Sequence, residues 1–148
     1  MSEQPIQILL VEDNPGDAFL VSHALEQRPA TVLHQVSHGR EALDFLKQAA
    51  QLPDLMLLDL NLPQIDGYEV LRQVKADPDL MHIPVIVLST SGAEQDILRC
   101  YRLQANCYLT KPLNLQDSAT LMLALEQFWL VGAALPRLPG TSGSKTQC

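Results

Sequence analysis

Five short apolar runs alternate with five segments of helical period along this chain, and that alternation limits the possible folds more than any other feature. The runs cover residues 6–11, 31–36, 55–58, 85–88 and 106–109. They are too short for typical helices, and the third and fourth are continuously apolar, as strands covered on both faces must be. Residues 15–28, 39–48, 67–76, 93–103 and 115–131 read as helices. Asn14 supplies an N-cap and Pro15 a first helical position for the first of them. The expected inward stripes are Leu20, Ala24 and Leu25 in the first helix, Ala42, Leu43 and Leu46 in the second, and Val70, Leu71 and Val74 in the third. Strict strand–helix alternation implies an α/β fold with a five-stranded parallel sheet and helices on both faces.

The chain has 148 residues, enough for one domain with a sizeable core. We expect that domain over residues 1–131, followed by a mostly irregular tail at 132–148 that is rich in Gly, Pro and Ser. A net charge of −7 with only ten scattered Lys and Arg argues against nucleic acid as a partner. No apolar run is long enough for a membrane span, and no basic region precedes the first one as in a leader peptide. The three cysteines lack metal-type spacing and fit a reducing, cytoplasmic setting. His34 and His38 read as surface residues.

In parallel sheets of this kind ligands bind beyond the carboxyl ends of the strands. The first strand ends in Glu12 and Asp13, the third in Asp59, the fourth in Ser89 and Thr90, and Lys111 follows the fifth. Crowded carboxylates resist ionisation unless a cation relieves them. An open, oxygen-rich site suits Mg²⁺, which keeps several waters and shares its shell with phosphate. A carboxylate can itself attack phosphorus and form an aspartyl-phosphate. Asp59, alone at the end of a buried strand, is the best nucleophile. Glu12 and Asp13 are better placed to hold the metal. Mg²⁺, the Lys111 ammonium and the Ser89 hydroxyl can then cover the three phosphoryl oxygens.

The stretches "LLVEDNPGD", "DLMLLDLNLPQIDGYEVL", "IPVIVLSTS" and "CYLTKPL" resemble, in order and spacing, the receiver domain of two-component response regulators, a flavodoxin-like (βα)5 fold. The resemblance implies that Asp59 accepts a phosphoryl group from the phosphohistidine of a sensor histidine kinase. It implies that Asp13 binds Mg²⁺ directly, Glu12 mainly through water, and Asn61 through its backbone carbonyl, with Asp59 also among the metal-binding residues. Ser89 becomes the switch hydroxyl, Lys111 the conserved lysine and Tyr108 the switch aromatic. Asp66 and Gly67 fit the tight turn before the third helix. Asn61 and Ser91 flank the path of an attacking water. Such a protein is no enzyme beyond catalysing its own phosphorylation and dephosphorylation.

No segment with the charge or length of a DNA-binding module follows the last helix, so the chain resembles the stand-alone receivers, which switch protein–protein contacts. The "EDNPGDA" start and "EQFWL" end resemble the small response regulators paired with cyanobacterial phytochrome kinases. The last helix is apolar nearly all round. Ala119, Met122, Leu125 and Trp129 form one stripe for the sheet, and Leu121 and Phe128 fall outside it. The expectation is a homodimer or partner face that includes Leu121, Phe128 and Trp129. The competing reading is that the tail, with Leu135 and Leu138, folds back over it. The alternative function is a phosphate-independent dimeric adaptor with the same fold. A phosphatase or flavin-binding protein of similar fold is a third reading, and the acids after the first strand disfavour an FMN phosphate there.

Overall fold

The computed structural model describes residues 4–26, 30–112 and 114–137. Strands β1 (Ile6–Val11), β2 (Thr31–Val36), β3 (Leu55–Asp59), β4 (Val85–Ser89) and β5 (Cys107–Thr110) form one parallel sheet in the order β2-β1-β3-β4-β5. Helices α1 (Pro15–Glu26), α2 (Gly39–Gln48), α3 (Gly67–Ala76), α4 (Glu94–Arg102) and α5 (Leu115–Leu125) connect and flank it. The end of the expected first helix, at residues 27 and 28, lies outside the described residues. So do Leu138, Cys148 and the rest of the tail beyond Arg137.

The two-residue period of a strand sorts the core into two layers. Leu9, Val11, Met56, Leu58, Val85 and Val87 face α2, α3 and α4. Ile8, Leu10, Leu55, Leu57, Ile86 and Leu88 face α1 and α5. Right-handed crossovers require this division, because β1 steps one way to β2 and every later connection steps back across the sheet. The reversal lies between β1 and β3, whose ends carry the acids at 12, 13 and 59.

The stripes of α2 and α3 are buried as expected. In α1 the buried residues are Ala18, Val21 and Leu25, with Leu20 and Ala24 only half-buried. That helix is apolar on several sides, so its sequence leaves the facing side open, and its contacts at the first turn decide it. His34 and His38 are half-buried rather than on the surface. His34 packs on Phe45 and meets the Gln7 amide oxygen at 2.8 Å. His38 caps α2, its Nδ1 accepting the Glu41 N–H.

The last helix departs from one continuous α-helix over 115–131. After Leu125 the chain widens into a π-helical segment, Glu126–Gly132, closed by the Ala133 N–H on the Phe128 carbonyl at 2.7 Å. An α-helix would follow Leu125 on the core face with residue 129. The wider turn puts Leu130 there instead, with Met122 and Leu125, and leaves Trp129 half-buried; Ala119, in the α-helical part, is exposed rather than on the core stripe. Beyond it residues 133–137 carry no regular element, yet Leu135 packs on the α1/α5 layer. Arg137 pairs with the buried Asp54 through Nε and Nη2 at 3.0 and 3.2 Å.

Candidate metal and phosphoacceptor site

Strand β1 delivers Glu12 into the protein and Asp13 to solvent. The Glu12 N–H continues the sheet by donating to the Val36 carbonyl, and its side chain is 1 % exposed. Asn14 then starts α1, its Oδ1 accepting the Asp17 N–H at 2.9 Å. This turn swings Asp17 back toward the sheet. Asp59 ends β3 and is 6 % exposed. Its Oδ1 accepts the Asn61 N–H at 3.4 Å. Gly67 secures the loop beyond it, because any Cβ there would collide with the Asp59 carbonyl and the Leu60 Cα.

One ligand oxygen each from Glu12, Asp13 and Asp59 can lie within 4.8 Å of the others. Such a set of oxygens at an open edge fits a hard divalent cation. When bound, the cation supplies positive charge against the carboxylates and against the oxygens of an incoming phosphate. The Lys111 ammonium enters from the other side. It donates to Glu12 Oε1 at 2.5 Å and Asp17 Oδ2 at 3.0 Å, and stands 3.7 Å from Asp59 Oδ2. Burial, helped by the Asp59 charge, pushes the Glu12 carboxyl up to about 7 against the opposing pull of Lys111. Burial acts to lower the Lys111 ammonium, but its hydrogen bond to Glu12 and the charges of Asp59 and Glu12 carry it above its ordinary value. Lys111 therefore stays charged.

These groups surround an open cavity of about 420 Å³, which Asn61 and Thr90 also line. Ser89 is 1 % exposed at the end of β4, and its hydroxyl accepts the Ser91 N–H at 3.1 Å. The Lys111 N–H donates to the Ser89 carbonyl at 2.7 Å, which fixes the lysine's root to the same strand end. Tyr108 lies outside the cavity, with its hydroxyl donated to the Ser91 carbonyl at 2.8 Å. Phe128 and Trp129 are separate from the acid corner, and Leu121 borders it. Leu121 lines an apolar cleft between α1 and α5 that Lys111 and Asp17 border. Phe128 and Trp129 line a groove of about 330 Å³ beside β5, and Phe128 is 60 % exposed. Sequence reasoning gave Asp17 no role, although it is the lysine's second partner. The signal was its place one helical turn after Asp13, just behind a Pro at the helix start.

A parallel sheet with acids at its reversal point, a lone aspartate on the next strand and a lysine opposite defines a receiver. The chain belongs to the response regulator receiver domain family, whose profile matches residues 8–123. It is a receiver-domain signalling regulator. It is 44 % identical over 143 residues to the response regulator Rcp1 of Synechocystis sp., covering 91 % of this chain and 96 % of that protein. The crystal structure of the phosphorylated cyanobacterial phytochrome response regulator RcpA matches it at 46 % identity and a TM-score of 0.86, over 89 % of this chain and 99 % of that one. The Mn²⁺-bound form of Rcp1 also matches, at 44 % identity and a TM-score of 0.86, with the same shares of the two chains. Among the described residues no helix is long and apolar enough to cross a membrane.

Proposed function

We propose that this chain is a cytoplasmic phosphoacceptor whose Asp59 takes a phosphoryl group from the phosphohistidine of a sensor histidine kinase. An Asp59 carboxylate oxygen attacks phosphorus, an O–P bond forms, and the P–N bond to the imidazole breaks. Asp13, Glu12, Asp59 and the Asn61 carbonyl would hold Mg²⁺, which would supply positive charge against the phosphoryl oxygens. Lys111 and Ser89 each cover one phosphoryl oxygen, so that charge is matched where it gathers. The chain thus acts catalytically only on its own phosphorylation and hydrolysis. The new charge then biases Ser89 and Tyr108 and switches a protein-binding face. That face includes Leu121, Phe128 and Trp129 and pairs two copies of the chain. The upstream kinase is of phytochrome type, a reading supported by the likeness to RcpA. The net charge of −7 argues against a nucleic-acid partner.

The observation that carries this reading is the approach of the Lys111 ammonium to 3.7 Å from Asp59 Oδ2, across from the acids of β1. A phosphate-independent adaptor would have no use for that arrangement. Incubation with Mg²⁺ and labelled acetyl phosphate should label the wild type and leave Asp59→Asn unlabelled. Metal-independent labelling, or label on another residue, overturns the proposal. Size-exclusion chromatography with and without beryllofluoride tests the pairing of two copies.

A further inference from the structure

Ser91 commits every polar group it has inside the protein. Its N–H donates to the Ser89 hydroxyl oxygen at 3.1 Å. Its own hydroxyl donates to Asp96 Oδ2 at 2.5 Å and accepts the Ala93 N–H at 3.2 Å. Its carbonyl accepts the Tyr108 hydroxyl at 2.8 Å. The second oxygen of Asp96 accepts the Tyr68 hydroxyl at 3.0 Å. Tyr68 is the second residue of α3, directly after Gly67, the residue pressed against the Asp59 carbonyl, and the Arg99 guanidinium lies 3.8 Å over its ring. The Tyr108 N–H donates to the Tyr101 hydroxyl at 3.2 Å. All three tyrosine hydroxyls of the chain therefore meet in one network, and the Asp96 carboxylate joins its two halves.

Capping of α4 alone does not account for this. The N-cap is Ala93, which has no side-chain acceptor, and a Ser or Asp at that position would cap the helix locally. Here the first-turn carboxylate instead reaches the segment that leaves β4 and the start of α3. Both hydroxyl hydrogen bonds hold the Asp96 carboxyl below its ordinary value, that of Ser91 most strongly.

We propose that Asp96 is a positioning residue for phosphoryl transfer. Through Ser91 it fixes the Ser89 hydroxyl, and through Tyr68 it ties that setting to α3. The proposal rests on Asp59 being the acceptor. Asp96 is absent from the cavity lining and from the acids that can share a cation. Its loss should therefore alter transfer and leave metal affinity alone.

The test uses the full chain labelled with 3-fluorotyrosine, as wild type, Asp96→Ala, Ser91→Ala and the double variant. Each single variant should slow Mg²⁺-dependent labelling by acetyl phosphate roughly tenfold, the scale of one hydrogen bond to a charged group. The double variant should be no slower than the slower single, because both changes cut the same link. Asp96→Asn, which can still accept one hydroxyl, should fall between. Mn²⁺ affinity should stay within about twofold of wild type in all. Beryllofluoride should shift the Tyr68 and Tyr101 fluorine resonances in wild type, and Asp96→Ala should lose the Tyr68 shift, because Asp96 alone joins Tyr68 to Ser91 in this network. Wild-type rates and shifts in Asp96→Ala, or slowing that multiplies in the double variant, would overturn the proposal. If Asp96→Ala does not fold, Ser91→Ala and Tyr68→Phe read the same two links separately. A wild type that takes up no label overturns the acceptor reading, and this proposal with it. A wild type that labels while the variants match it overturns this proposal alone.

Discussion

A carboxylate that is 1 % exposed beside another acid must hold a proton or face a cation, and Glu12 has both choices within reach. Its folded pKa of about 7 lies above the ordinary value of 4.5, so the folded protein binds the extra proton more tightly than the unfolded chain does. By linkage, this group's contribution to stability falls as pH rises from the unfolded value through about 7. A divalent cation needs the deprotonated form, so it competes with that proton. Mn²⁺ affinity, measured by calorimetric titration, should rise with pH up to about 7 and level off above it. Glu12→Gln should bind more weakly and lose this pH dependence. Gly67 is constrained in a different way. A methyl at that position meets backbone, which cannot rotate aside, so Gly67→Ala must displace the end of β3. Urea unfolding should show a loss of about 1–3 kcal/mol, and labelling of Asp59 should slow.

Elements were most legible where one face is apolar and the other polar. Gly39–Gln48 and Gly67–Ala76 matched their expected bounds and stripes because their charged residues leave only one side to bury. Segments apolar all round were not legible in this way. The Asn14 cap of α1 is local, but the pull of Lys111 on Asp17 comes from 94 positions away, a contact that periodicity cannot carry. The π turn after Leu125 has no sequence signal, because Trp129 and Leu130 are both apolar and only packing chooses between them. The end of α4 shows a conflict between residue and backbone. Gln104 has φ 77°. The Ala105 N–H on the Cys100 carbonyl and the Gln104 N–H on the Tyr101 carbonyl, both at 3.0 Å, make this a Schellman ending. A glycine meets that conformation without a Cβ penalty. Gln104→Gly should stabilise the chain by about 0.5–1 kcal/mol in thermal or urea unfolding, with no change in labelling.

At the scale of the whole molecule, the two edges of the sheet have different work. The carboxyl edge gathers Glu12, Asp13, Asp59, Ser89 and Lys111, and each could be read from sequence because each ends or follows a strand. The tie at the amino edge could not be read, since Asp54 stands before β3 and Arg137 follows a stretch of irregular chain. The structure brings them together over 83 positions. Asp54 Oδ2 also accepts the Gln7 N–H at 2.8 Å, and the Arg137 guanidinium reaches the Pro5 carbonyl at 3.3 Å. One side chain thus joins residues before β1, before β3 and after the π turn. Among the described residues, Arg137→Ala leaves the buried carboxylate with only the Gln7 main-chain N–H, and an uncompensated buried charge is costly. Because the guanidinium is 36 % exposed, solvent screens part of that cost, and the expected loss is about 1–3 kcal/mol. Asp54→Asn in the same background removes the stranded charge, so the double variant should recover part of the loss in a double-mutant cycle. Neither change touches the opposite edge, so Mg²⁺-dependent labelling of Asp59 should keep its wild-type rate. A slowed rate in Arg137→Ala, with the fold intact by circular dichroism, would show that the amino edge does influence the acceptor through the strands that join them.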